Sequence, residues 1–183
     1  MELIETPLKD CWLIKNTIIG DERGYFLESF NHRKFSNLTG WEGQFVQDNQ
    51  SASGYGVVRG LHFQRGEFAQ AKLVRVLLGK VLDVAVDLRS DSPSYGMSFS
   101  VELDESNEYQ LFVPRGFAHG FSVLTEKAVF FYKCDNYYNK ASESGIHPFD
   151  PTLNIQWKID PATAILSAKD KEAQSWQQYL AEL

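Results

Sequence analysis

Short runs of apolar or alternating residues, set off by turn residues, fill the first three quarters of the chain. They fall at 11–19, 25–30, 44–51, 57–64, 71–78, 81–88, 96–103, 110–113, 119–124 and 128–135, and each reads as a β-strand. Within 25–30 the side chains Phe26, Glu28 and Phe30 alternate in register with a pleat. Gly79-Lys80 separates two runs and reads as a tight hairpin. Residues 90–94 and 104–107 read as loops. Asn31 is placed to cap a short helical turn over 32–38. After residue 138 the periodicity fades, until the tail at 169–183 turns helical in composition. There Ala173, Trp176, Leu180 and Leu183 recur at helical spacing and should pack on the strands. So many short strands predict an all-β sandwich or barrel in one domain spanning 1–183, with short helices and a C-terminal helix.

Polar residues interrupt these strands in phase. His62 and Gln64 share one face of their run, and Gln47, Asn49 and Ser51 share one face of theirs. A water-facing strand gives that pattern, and so does a strand lining a polar cavity. A second segment of the same kind favours the cavity: Gln110-Leu-Phe-Val-Pro114-Arg-Gly116-Phe-Ala-His119, where His119 opens a strand after a Pro/Gly turn. Arg59 and Lys72 also sit among apolar, β-branched neighbours. A lysine turned inward is costly unless it meets an anion, whereas one turned to solvent costs nothing. Tyr132, Tyr137 and Tyr138 lie close together, and the residues alone do not choose among them.

Composition narrows the function. Thirteen Phe, eight Tyr and four Trp suit a barrel interior. A net charge of −6 argues against a general nucleic-acid surface but leaves room for a local basic pocket for a diphosphate. Cys11 and Cys134 are not spaced for metal and read as ordinary buried thiols. The N-terminus lacks the basic flank and apolar core of a signal peptide, and no run reaches a membrane span of about 18 apolar residues. A soluble cytoplasmic protein is expected.

Pro114-x-Gly116-x-x-His119 resembles the second half of the cupin signature, which marks a double-sheet β-barrel or jelly roll. The first half supplies His-x-His to a metal, but here it reads His62-Phe63-Gln64. Gln is a poor substitute for imidazole, so no metal is expected. Across nearly its whole length the chain resembles the dTDP-4-dehydrorhamnose 3,5-epimerases. The shared motifs include Asp21-Glu-Arg23-Gly-Tyr-Phe26-Leu-Glu28, Gln47-Asp-Asn49-Gln-Ser51, Val58-Arg59-Gly60-Leu-His62-Phe-Gln64 and Gln70-Ala-Lys72-Leu-Val74. They continue through Val81-Leu-Asp83, Phe131-Tyr132-Lys-Cys134, Glu143-Ser-Gly145 and Lys169-Asp170. Ala168 departs from the family's usual Glu at that position.

The resemblance implies a cofactor-free epimerase acting on a dTDP-4-keto-6-deoxy sugar. It implies His62 as base, Asp170 as the base's partner, Lys72 at the developing oxyanion and Tyr132 as acid. Taken alone, Asp170 would read as a surface residue in a helix's first turn. Arg23 and Arg59 match diphosphate binders, Gln47 and Asn49 add neutral hydrogen bonds, Phe26 stacks on the thymine and Glu28 hydrogen-bonds its edge. Tyr138 matches a thymine-stacking position, and Glu143 and Lys169 match further substrate contacts. His119 either assists the chemistry or hydrogen-bonds within the pocket. A homodimer is implied, with 23–28 reaching a neighbour's pocket. The rival readings are a monoepimerase at C3 or C5, a 3,4-ketoisomerase, a non-catalytic sugar-nucleotide-binding barrel and a metal-dependent oxygenase; Gln64 speaks against the last.

Overall fold

Strand alternation decides which side chains meet, and the pairings sort them into three apolar layers. The computed structural model describes residues 1–106 and 108–182. Along it run β1 (Glu2–Glu5), β2 (Trp12–Lys15), β3 (Ile18–Asp21), β4 (Gly24–Leu27), α1 (His32–Thr39), β5 (Gln47–Gly54), β6 (Val58–Gln64), β7 (Lys72–Leu78) and β8 (Lys80–Asp87). Then follow β9 (Ser98–Asp104), β10 (Tyr109–Val113), β11 (Phe117–Val123), β12 (Lys127–Cys134), β13 (Glu143–Gly145), α2 (Ala168–Lys171) and α3 (Trp176–Ala181). One sheet has the order β1-β2-β10-β7-β12-β5, the other β13-β6-β11-β8-β9, and β3-β4 stands apart as a two-stranded arm. This is the double-sheet jelly roll expected.

The layer between the sheets holds Val74, Val76, Val81, Ala85, Phe117, Phe121, Phe130 and their neighbours. Odd residues of β8 and β11 face it, while Leu82, Val84, Val86 and Ala118 face outward under Trp157, Trp176 and Tyr179. On the far side of the six-stranded sheet, Ile14, Leu73 and Phe112 are covered by Phe35 of α1. The Asn31 side chain caps α1, accepting from Lys34 N at 3.2 Å.

Several expected elements take a different form. The strand at 11–19 breaks after Lys15, because the Asn16 amide and side chain both donate to the Glu108 carbonyl, at 3.1 and 3.2 Å. Its remainder joins the β3-β4 arm, and the strand at 25–30 ends at Leu27. β1 pairs with β2 and was not signalled by any long apolar run. Gly79 makes no hairpin: β7 and β8 belong to different sheets, and the chain turns a corner there. Its φ is 75°, and a Cβ would fall 2.1 Å from the Lys127 carbonyl, so a side chain has no room. The helix at 169–183 is two helices. Gln174 bridges in parallel to Ile146, and Ser175 starts α3 afresh with a capping box to Gln178. Leu183 and Asn107 lie outside the described residues.

β6 carries one more departure from strict alternation. His62 pairs with His119 and Arg59 with Phe121, so three residues of β6 span two of β11. This extra residue is a β-bulge, and it turns Arg59 and His62 to the same face despite their odd spacing. The backbones touch here: a Cβ on Gly60 would lie 2.5 Å from Gly120 Cα, and Gly60 has φ 124°. Gly60→Ala is therefore expected to cost about 2–4 kcal/mol. A lowered urea midpoint at unchanged slope checks it; a variant as stable as the parent refutes the close approach.

Near the opposite end of β8, Asp87 is fully buried under the Arg89 fork (2.9 and 2.8 Å), with Ser92 and Ser94 donating at 2.6 and 2.7 Å. Burial alone would raise its carboxyl, but the bonds from Arg89, Ser92 and Ser94 outweigh that and hold it below 3.8. A depressed carboxyl stabilises fully above its unfolded value, and that stabilisation is lost as pH falls through its folded value. Asp87→Asn should cost about 2–3 kcal/mol at neutral pH. The gap in melting temperature between parent and variant should narrow below pH 4; a gap constant down to pH 2 would contradict the assignment.

Candidate active site

The interior face of β6 presents His62, and its partner arrives from the chain's far end. His62 Nε2 meets Asp170 Oδ1, 108 residues away, in a very short contact. Asp170 sits on α2, where Ser167 serves it twice: Ser167 Oγ accepts from Asp170 N at 3.1 Å and donates to Oδ2 at 2.8 Å. The Asp170 side chain is 3% exposed and that of His62 33%. Burial would raise the Asp170 carboxyl, but the His62 hydrogen bond and charge outweigh it, so the group is ionised. An ionised carboxylate only accepts, so Nε2 carries a proton toward it, and in the neutral ring the lone pair lies on Nδ1. The carboxylate thereby fixes the orientation of the imidazole.

Opposite, on β11, His119 Nε2 lies 2.9 and 3.0 Å from the two oxygens of Asp83 on β8, and both residues are buried. Sequence reading gave Asp83 no role. Its signal was available: an acid between Val81 and Ala85, at a position whose neighbours two residues away face the interior.

Lys72 opens β7 on the face of Val74 and Val76 and pairs across with Cys134 of β12. Burial pulls its ammonium below the ordinary lysine value, while Cys134, Asp83 and Glu143 pull the other way. Its Nζ stands 5.9 Å from the centre of the Tyr132 ring. Burial pushes the Tyr132 phenol up, so it holds its proton at neutral pH. Cys134 is a free thiol that burial pushes up to about 11, and it faces Asn49 Nδ2 at 3.6 Å. These strands thus carry an imidazole held by a carboxylate, a lysine whose charge burial disfavours and a protonated phenol.

Around this group the remaining polar residues are tied to one another. Arg59 Nε donates to Ser53 Oγ at 3.0 Å. Gln47 Nε2 donates to Asn49 Oδ1 at 3.1 Å, and Gln47 Oε1 accepts from Tyr138 N at 3.1 Å. Tyr138 OH donates to Glu143 at 2.8 Å, and Lys169 pairs with the other Glu143 oxygen. Burial would raise the Glu143 carboxyl, but the Lys169 and Tyr138 bonds hold it down. Gln64 Oε1 is committed to Asn139 N at 3.0 Å, so it fastens the loop before β13. Among the described residues no group of three or more His, Cys, Asp or Glu could hold a metal ion.

The predicted binders Arg23, Phe26 and Glu28 lie elsewhere in this chain. Arg23 forks onto Asp21, Glu28 binds Lys34 at 2.7 Å, and Phe26 is 66% exposed. Among the described residues no hydrogen bond or ion pair joins these three to the His62 group. Sequence reading also missed Ser167, which a cap position three residues before Asp170 could have signalled, and Arg65. A cavity of about 500 Å³ opens beside the pair, lined among others by His62, Asp170, Lys169, Arg65, Gln174 and Glu182.

Comparison with known proteins places the chain in a family. A family model described as dTDP-4-dehydrorhamnose 3,5-epimerase matches residues 5–178. A protein of that name from Shigella flexneri is 46% identical, over 96% of each chain. A crystal structure of the epimerase from Elizabethkingia anophelis NUHP1 superposes with a TM-score of 0.94 at 56% identity, covering 97% of both chains. The Legionella pneumophila enzyme, solved with dTDP-4-keto-L-rhamnose, gives a TM-score of 0.94 at 45% identity, covering 99% of this chain and 95% of its own. With the family model matching residues 5–178 and relatives this similar over nearly the whole chain, the chain belongs to the dTDP-4-dehydrorhamnose 3,5-epimerase family.

Proposed function

We propose that this protein inverts C3 and C5 of dTDP-4-dehydro-6-deoxy-D-glucose to give dTDP-4-dehydro-L-rhamnose, without a cofactor. The C4 ketone acidifies both neighbouring carbons. At each one His62 Nδ1 takes the carbon-bound proton, and the C–H electron pair moves onto the carbonyl oxygen as an enolate. The electron pair then returns to carbon, which takes the Tyr132 proton on the opposite face; before the second carbon reacts, His62 releases its proton and Tyr132 regains one by exchange with solvent. The observation that carries this reading is the pairing of His62 Nε2 with the buried Asp170 carboxylate, which engages one ring nitrogen and leaves the other for the substrate.

Lys72 supports the enolate. A desolvated ammonium lacks a full counter-charge at rest, so a new negative charge beside it is stabilised far more than in water. Tyr132 gives up its proton only once that charge exists, which keeps acid and base from quenching each other. Arg59, with Gln47 and Asn49, takes the diphosphate and adjacent sugar; Tyr138, Glu143 and Lys169 take the nucleoside side; His119 holds the pocket floor through Asp83. Arg23, Phe26 and Glu28 serve a neighbouring subunit's pocket in a homodimer, which accounts for their exposure here. The protein acts in the cytoplasm; among the described residues no helix is long and apolar enough to cross a membrane.

Proton NMR with this substrate in heavy water should show deuterium at C3 and C5 with both centres inverted. Exchange and inversion at one carbon would make it a monoepimerase, and binding without exchange would end the enzymatic reading. His62→Ala should abolish exchange at both carbons while the folded spectrum persists; retained turnover would remove His62 as base. Asp170→Asn should lower kcat about 10²–10⁴-fold. Tyr132→Phe separates the two proton transfers: solvent deuterium should still enter, returned by His62 to the original face, while inversion falls at least about 100-fold. Equal loss of exchange and inversion in this variant would contradict the assignment of Tyr132.

A further inference from the structure

The chain's last residues are strapped along β6 at three places. Before the strand's start, Ile165 bridges to Val57 in parallel, with Ile165 N donating to Gly56 O at 2.9 Å and Val58 N to Ile165 O at 3.0 Å. Partway along, Asp170 takes His62. Just past the strand's end, Arg65 takes Glu182, the residue after α3 and its short turn. The last strap is a closed network. Arg65 Nη2 donates to Ser144 Oγ at 3.1 Å. With its amide oriented to satisfy both ends, Gln174 donates to both Glu182 oxygens at 3.2 Å and accepts from Arg65 at 3.1 Å. The guanidinium lies 5.7 Å over Phe63, whose ring meets Tyr179 of α3 edge-on at 5.7 Å.

α2, which bears Asp170, has four residues and cannot hold a direction by itself. Where Asp170 points is set by how its flanks are tied. The upstream tie is backbone; downstream, the Gln174 backbone bridges to Ile146 and accepts from His147 N at 2.8 Å, while a second, side-chain tie runs through Gln174 and Glu182 to Arg65, three residues beyond His62. Arg65 and Glu182 are each nearly half exposed, at 43% and 48%, so their ion pair adds little to global stability. Both nevertheless line the same cavity as His62 and Asp170.

We propose that Arg65 is a positioning residue. Through Glu182 and Gln174 it clamps the tail so that the Asp170 carboxylate stays on His62 Nε2 and Nδ1 stays open as the base. This rests on the epimerase reading. The charged groups around His62 are Asp170 and Lys169 of α2, Glu143 of β13, Arg65 itself and, along the same cavity, Glu172 and Glu182, with His119 opposite on β11. Loosening the clamp frees Asp170 from this set and leaves Lys169, Glu143 and His119 in place.

The test uses the full chain with Arg65→Gln, Glu182→Gln and Arg65→Lys. The two Gln variants should lose about tenfold in kcat with KM within about twofold, and Arg65→Lys should recover most of it. In ligand-free protein, the far-downfield Nε2–H proton signal of His62, assigned by its loss in Asp170→Asn, should broaden or vanish in Arg65→Gln. The double variant Asp170→Asn/Glu182→Gln should be no slower than Asp170→Asn alone, because both act through one contact. A kcat within twofold of the parent, or a fall in kcat with the downfield signal unmoved, overturns the clamp. Loss of the signal in Arg65→Gln while the parent turns over no 4-keto sugar would leave the clamp standing and defeat the epimerase reading.

Discussion

A carboxylate shut away from water needs a cation, or a hydrogen-bond donor that can become one, and the rest of this molecule is arranged around meeting that need for Asp170. Isolated, a charge with 3% exposure would take up a proton instead. His62 and Ser167 keep it ionised. The pairing therefore fixes the tautomer of the base, the place of α2 and the path of the tail beside β6. It also requires β6 to aim His62 inward at that level, which the bulge opposite Gly120 allows. The barrel and the base are in this sense one construction problem.

The interior beyond His62 works on the same electrostatic logic with the opposite sign. Lys72 is a cation in surroundings that disfavour it, with Asp83 and Glu143 acting on it through the pocket and with neutral Cys134 and Tyr132 nearest. Asp83 is already engaged by His119, and Glu143 by Lys169 and Tyr138. Both carboxylates acting on Lys72 are therefore engaged elsewhere, and an enolate formed beside it, as proposed, would meet an incompletely compensated ammonium. A site balanced at rest would bind a neutral ketone as well as its enolate; one left short of an anion favours the enolate, and only that difference speeds the reaction.

Much of this was legible in the chain because alternation survives tertiary context where a strand has one face on each core. The inward face of β5, the parity of His62 with Gln64, and the Pro114–His119 turn all follow from a period of two. What escaped was whatever depends on partners distant in sequence. Gly79 has the composition of a hairpin, yet β7 and β8 go to different sheets, a choice made by pairing with β10, β12 and β11. The tail has helical spacing from Ala173 on, but Gln174 is drawn into a strand-like bridge with Ile146, and that bond ends the helix. Asp170 shows the same limit from the other side: locally it is a helix first-turn acid, and only the fold makes it the partner of a base. Arg23, Phe26 and Glu28 match the family by motif, while a single chain leaves them on an arm whose polar groups satisfy one another.

The base is completed by the last part of the chain, so folding of the barrel and assembly of the site are separable in principle. β6, β11 and β8 pair without the tail, and His119 finds Asp83 within that sheet. His62 does not find Asp170 until the segment from Ile165 to Glu182 lies down along β6. That segment has little regular structure of its own: two short helices joined by a bridge. Its order comes from Trp176 and Tyr179 in the outer layer and from polar ties at its ends. Apolar burial supplies most of its affinity for the barrel but is non-directional, and it tolerates sliding by a fraction of an ångström. The contact between Asp170 and His62 does not. Directional bonds along the segment, at Ile165, at Gln174 and Trp176 and at Glu182, convert loose adhesion into a fixed register, and a half-exposed ion pair that contributes little to stability can matter through register alone.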